Sequence, residues 1–197
     1  MGRALLAALG FVLACAAHAD TFVREDIITE PTPAAYSLCY DHGCASLATL
    51  SLTPQQWASV RRLFRGPVPD PAMERARIAQ AIARLESLSG RMTGTHRDRG
   101  GDLKGLGEPG QMDCIDESIN TTTYLRMLES ARLLRWHRVE DRATRGWFIR
   151  GWPHTTAVIR ETRSGERYAV DSWFEDNGKP PHIVPLRQWQ DGWEPGP

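Results

Sequence analysis

Three residues have the types needed for nucleophilic acyl chemistry: Cys114, His154 and Asp171. A thiolate attacks a carbonyl, an imidazole holds the sulfur's proton and later delivers it to the leaving group, and a carboxylate fixes the imidazole tautomer and stabilises its charged form. Cys114 lies in Met112-Asp113-Cys114-Ile115-Asp116-Glu117, after a glycine-rich approach over residues 100–110. Asp113 suits a helix N-cap, and Asp116 three residues on completes an aspartate version of the capping box. Cys114 is then on the first helical turn, where unsatisfied backbone N–H groups and the positive end of the helix dipole favour thiolate. The glycines let backbone or substrate come close to the sulfur. The charges of Asp116 and Glu117 oppose a further anion, so a nucleophilic Cys114 needs a cation as well, and the expected one is a histidine.

The best hairpin pairs the run 155–161 with the run 167–171. His154 stands at the start of the first strand and Asp171 at the end of the second. Side chains alternate with period two along a strand, so a two-residue turn at Ser164-Gly165, or a four-residue turn over 162–165, puts both on one face. The four-residue turn leaves them a diagonal pair within side-chain reach. A three-residue turn without a bulge would put them on opposite faces. The other histidines fit less well. His137 sits beside Arg135 and Arg138, which disfavour its charged form. His182 lies between Pro181 and Ile183 without a nearby acid, His42 lies between two cysteines, and His96 falls in the polar stretch 91–111. An oxyanion would find the Cys114 N–H, with Gln111 or an indole N–H as candidates for a second donor.

The order Cys114, His154, Asp171, with the cysteine opening a helix and the other two on neighbouring strands, resembles the transglutaminase-like superfamily. It also resembles the exported bacterial transglutaminase-like cysteine peptidases. The resemblance covers about residues 111–173, near the size of one supersecondary unit. It implies a papain-like α+β core and attack on an amide, by hydrolysis, transfer or cross-linking. It makes Cys114 the nucleophile, His154 the general base and acid, and Asp171 the orienting carboxylate. The substrate would be a protein or peptide, cell-wall peptide included. Transglutaminases proper often carry aromatic and acidic residues after the histidine. Here Thr156 and Val158 stand there, and Trp173 after Asp171 also departs from them, which weighs against cross-linking. Some exported relatives bind calcium through acids near the cysteine. Asp113, Asp116 and Glu117 could do so here, although helix capping accounts for them without metal, and no cofactor is required.

The elements that must position these residues form one α+β domain over 20–197, of a size that supports a single core. Residues 1–19 read as a signal peptide: Arg3, an apolar run over 4–17, and Ala17-His18-Ala19 as the cleavage site. The run is shorter than the ~20 residues that span a bilayer, so the mature chain is expected to be periplasmic or secreted, without a transmembrane segment. A lipoprotein anchored at Cys15 is the alternative. Export leaves Cys39, Cys44 and Cys114. The first two are close enough to bridge, contributing about 2 kcal/mol, and Cys114 remains as the odd thiol. There are two rivals: a zinc site from Cys39, His42 and Cys44 with a fourth ligand, and a Cys114 that is a buried inert thiol. The formal net charge is zero, with no basic stripe of the kind that binds nucleic acid.

Thr53-Pro54 and Asp70-Pro71 each start a helix, and Gly90 is expected just past the end of the second. Residues 91–111 read as a long polar loop: a lid, one wall of a groove, or equally a loose surface loop. The central helix is expected over 114–134, followed by strands at 136–140, 147–150, 155–162 and 167–173. Helices first and strands after is the order of an α+β fold with segregated layers. Residues 20–51 and the tail 189–197 read as irregular cover. A non-enzymatic reading also exists: an inactive exported module of the same fold that binds a protein or cell-wall partner through Trp147, Trp152 and Trp173. In the enzyme, iodoacetamide should label one thiol rapidly near neutral pH; in the module that thiol is slow.

Overall fold

The computed structural model describes residues 24–101, 105, 107–146 and 153–196. The expected signal peptide, Cys15, the expected strand 147–150, Trp147 and Trp152 lie outside the described residues. The chain is mixed α+β with antiparallel sheets. A hairpin of β1 (Tyr36–Tyr40) and β2 (Ser46–Leu50) precedes α1 (Pro54–Arg62), α2 (Pro71–Thr93) and α3 (Cys114–Ser130). A four-stranded sheet follows, β3 (His137–Arg145), β4 (His154–Glu161), β5 (Arg167–Asp171) and β6 (His182–Pro185), and α4 (Leu186–Gln190) closes the chain. Sheet order equals chain order, β3-β4-β5-β6. Among the described residues no helix is long and apolar enough to cross a membrane.

Helix starts follow the sequence. Thr53 and Gln56 form a full capping box ahead of Pro54, and the Asp70 carboxylate accepts the Met73 N–H. The end of α2 does not: the helix runs through Gly90 to Thr93, and Gly94, with φ 90°, takes the left-handed cap. Gly90 is needed for space instead. A Cβ there would lie 2.6 Å from Asn177 Oδ1 and 2.8 Å from the His96 nitrogen. The stretch 20–51 is also more regular than expected. Tyr36 and Leu38 of β1 are buried and join Ile78, Ile82 and Leu85 of α2 and Leu125 and Leu128 of α3 in the main core. Because β1 is buried on nearly all its positions, it lacks the alternation that marks a half-exposed strand.

The α2–α3 interface holds an unusual charge arrangement. Glu86 and Glu117 are each 3% exposed, and Glu86 Oε1 and Glu117 Oε2 have no hydrogen-bond partner among the described residues. Burial pushes the Glu86 carboxyl up to about 8, with the Asp98 charge adding, against bonds from the Gly178 N–H and Ser172. Burial, then the charges of Glu86, Asp98, Asp116 and Asp171, push Glu117 well above the carboxylate range. The folded chain therefore keeps protons that the unfolded chain releases above about pH 4.5. Stability is full below that value and falls as pH rises towards about 8, by about 1.4 kcal/mol per pH unit for each such proton. Calorimetry between about pH 5 and 8 should show Tm falling with pH, and Glu86→Gln should flatten the slope. A Tm that rises over this range would show these carboxyls to be ionised in the fold.

Candidate active site

Asp113 accepts from the Ile115 and Asp116 N–H groups, and Asp116 accepts in return from the Asp113 N–H, so the capping box places Cys114 as the first residue of α3. The register Ala157↔Val170 and Arg160↔Arg167, with Glu161 N–H donating to Glu166 O, leaves a four-residue turn over 162–165. His154 and Asp171 are then diagonal on one face. His154 Nε2 lies 2.7 Å from Asp171 Oδ2. Asp171 is 1% exposed and His154 8%. The carboxylate can only accept, so Nε2 carries a proton, and in the neutral ring the lone pair is on Nδ1.

The sulfur lies against the backbone on both sides of His154: Sγ is 4.0 Å from Pro153 O, and the Thr155 N–H is directed at it. The strand that carries the imidazole thus also carries the contacts to the thiol. Thr121 Oγ1 and Ser172 Oγ, 2.6 Å apart, tie the middle of α3 to the residue after Asp171. The expected thiolate is not the resting form. Burial pushes the Cys114 thiol up to about 11, and the Asp113 and Asp171 charges add, while the Thr155 and Cys114 N–H groups pull the other way. The helix end favours the anion, but desolvation and two carboxylates outweigh it.

Asp171 has two further donors. The Trp189 indole N–H reaches Oδ2 at 2.7 Å and the Trp173 N–H reaches Oδ1 at 3.2 Å. The His154 ring is walled by Trp173, Phe174 and Trp189, with centroids at 4.9, 5.4 and 5.5 Å. Trp189 is fully buried on α4, where the tail was expected to be irregular; the sequence signal was its apolar partner Leu186 three residues before it. Two histidines have acids that sequence proximity did not show. His182 pairs with Glu175 at 2.9 Å. His137 is buried with Nδ1 2.9 Å from Glu74 Oε1, and Glu74 also accepts from the Arg135 and Trp136 N–H groups. Neither pair includes a cysteine.

Gln111 is committed elsewhere, donating to Arg97 O at 2.9 Å and accepting the Arg99 N–H, and the Trp189 indole N–H is on Asp171, so neither is free as a second oxyanion donor beside the Cys114 N–H. The 91–111 stretch is stitched to the site's rim: Gly101 N–H donates to Trp173 O, and Met112 N–H to Asp98. A Cβ at Gly100 would collide with the backbone of Phe174 and Glu175. No family model, no curated protein and no solved structure matches this chain. The site's meaning therefore rests on its chemistry.

The zinc donors Cys39 and Cys44, and two of the three calcium donors, Asp113 and Asp116, are already engaged. Cys39 and Cys44 form a disulfide, so they offer no thiolates for the zinc arrangement. Asp116 lies close enough to both sulfurs to complete a three-ligand cluster by distance. Its oxygens instead accept the His42, Cys44 and Asp113 N–H groups, and burial followed by the Asp113 charge pushes it up to about 7. Asp113 accepts the Gly43, Ile115 and Asp116 N–H groups. The calcium donors foreseen at Asp113 and Asp116 thus serve as caps for α3 and anchors for the disulfide loop.

Proposed function

We propose that the chain is an exported cysteine hydrolase or acyltransferase that acts on amide bonds through Cys114, His154 and Asp171, built on a core of the papain and transglutaminase-like kind. The observation that supports it best is a single one. A buried His154–Asp171 pair at 2.7 Å leaves Nδ1 unprotonated on the residue whose flanking backbone touches a free thiol. Because that thiol rests neutral, attack is coupled to proton transfer. Nδ1 takes the Sγ proton as sulfur adds to the carbonyl, and the oxyanion forms towards the helix N-terminus. Asp171 stabilises the imidazolium, which then protonates the leaving nitrogen. The thioester passes to water or an amine. The disulfide is compatible with an oxidising, extracellular setting, and a protein or peptide, cell-wall peptide included, is the substrate class.

The test is acyl trapping. Incubation with p-nitrophenyl acetate should release p-nitrophenolate and leave one acetyl group on Cys114 by intact-mass and peptide analysis. Cys114→Ser should lose this with Tm nearly unchanged, since the sulfur is half-buried at a helix end and not in a core cluster. A chain that never acquires the acetyl group, with a thiol that stays unreactive in the folded state, would be the inactive binding module instead.

A further inference from the structure

Arg145 ends β3 as the register partner of His154, so both side chains leave the same face of the sheet. Its guanidinium carbon lies 4.6 Å from the centroid of the Trp189 ring. Nη1 donates to Trp189 O and, at 2.7 Å, to Trp193 O. One planar group thus grips the ring of Trp189 and the two carbonyls around the turn that ends α4. That turn closes through Gly192 N–H on Trp189 O. Trp189 in turn places its indole N–H on the same Asp171 oxygen that accepts from His154. The guanidinium is partly desolvated: burial lowers its pKa, against the charges of Asp171 and Glu194. Desolvating a cation is unfavourable unless its hydrogen bonds and stacking compensate. A lysine could supply the charge and one nitrogen shared between two carbonyls, but not the planar cation set over the indole.

We propose that Arg145 is a positioning residue for the His154–Asp171 pair, acting through Trp189: it clamps α4 so that the indole N–H stays on Asp171 Oδ2 and holds that oxygen in line with His154 Nε2. The chemical meaning of the proposal rests on the acyl-transfer reading, but the positioning does not.

The experiment is a double-mutant cycle of Arg145→Lys and Trp189→Phe in the full chain, read in two ways. In the first, acetylation of Cys114 by p-nitrophenyl acetate should fall by about tenfold in each single variant. The double variant should fall no further, because both remove one connection. In the second, 15N spectra of labelled histidine should show His154 as the Nε2–H tautomer in the native chain and as a tautomer mixture in either variant. Additive losses in the cycle would overturn the proposal, because Arg145 would then act independently of Trp189. So would an unchanged His154 tautomer in Arg145→Lys and Trp189→Phe, whatever happens to stability. If the native chain is not acetylated at all, the acyl-transfer reading fails while the tautomer arm still decides the positioning. If Trp189→Phe proves unstable, Arg145→Lys alone carries that arm.

Discussion

With His154 replaced by alanine, acylation of Cys114 near pH 7 is expected to fall by about a hundred- to ten-thousand-fold, and the rate that remains should rise tenfold with each added pH unit. The reason lies in the resting thiol. Burial holds it near 11, so near pH 7 only about one sulfur in ten thousand is ionised, each unit being a factor of ten. A chain that relies on that fraction reacts through it alone. On the proposed reading the native chain does not rely on it, because Nδ1 of His154 takes the proton during attack; the His154 ring bonds Asp171 at 2.7 Å and is held between Trp173, Phe174 and Trp189. The two chains should therefore converge as pH approaches about 11 and separate most near neutrality. Stopped-flow release of p-nitrophenolate across pH, with Tm measured on both chains, checks this. Parallel profiles with no convergence would mean that His154 affects the sulfur only through structure.

Much of this site could be read from spacing, and the rest could not, for identifiable reasons. The diagonal placement of His154 and Asp171 needs only the period of a strand and the length of one turn, both local. The position of Cys114 needs only a capping box. The state of its thiol depends on burial, and no local pattern reports how much solvent a residue loses: the helix end favours thiolate, while desolvation favours thiol. Trp189 comes 18 residues after Asp171, and its indole bond depends on where a short helix lands. The same holds for Glu74 beside His137, which is 63 residues away. In α2 the glycine at 90 resembles a stop, yet it is there because Asn177 and His96 press on the helix. The β1–β2 hairpin escaped notice because its turn, over Asp41, His42, Gly43 and Cys44, has φ of 68°, 64°, 63° and 57° in succession, a conformation that three non-glycine residues rarely share.

That turn leads to the second large effect. Replacing Cys39 and Cys44 by serine together should lower Tm by about 10 °C and slow Cys114 acylation by more than about tenfold at temperatures where the chain is still folded. Left-handed backbone costs roughly 1–3 kcal/mol at each non-glycine residue, and the bridge across this short loop contributes only about 2 kcal/mol, so the bridge alone does not hold the turn. Its N–H groups supply the remainder. His42 and Cys44 donate to the two oxygens of Asp116 at 2.8 and 2.6 Å, Gly43 donates to Asp113 at 2.9 Å, and Cys39 exchanges two bonds with Asn120. All of these partners belong to the cap and first two turns of α3, so the disulfide loop and the helix that presents Cys114 fix one another. Without the bridge the loop can relax out of the left-handed region, and Asp116, fully buried, loses donors at a cost of about 1–3 kcal/mol. For a chain of this size each kcal/mol moves Tm by about 2–4 °C. The loss reaches chemistry because the freed capping box no longer fixes where the first turn of α3 sets its sulfur against Pro153 and Thr155. Calorimetry and acylation of the double variant measure both parts, and Asp116→Asn separates them by removing the acceptor charge while leaving the bridge. An unchanged acylation rate in a destabilised double variant would confine the loop to holding the fold and release it from any part in placing Cys114.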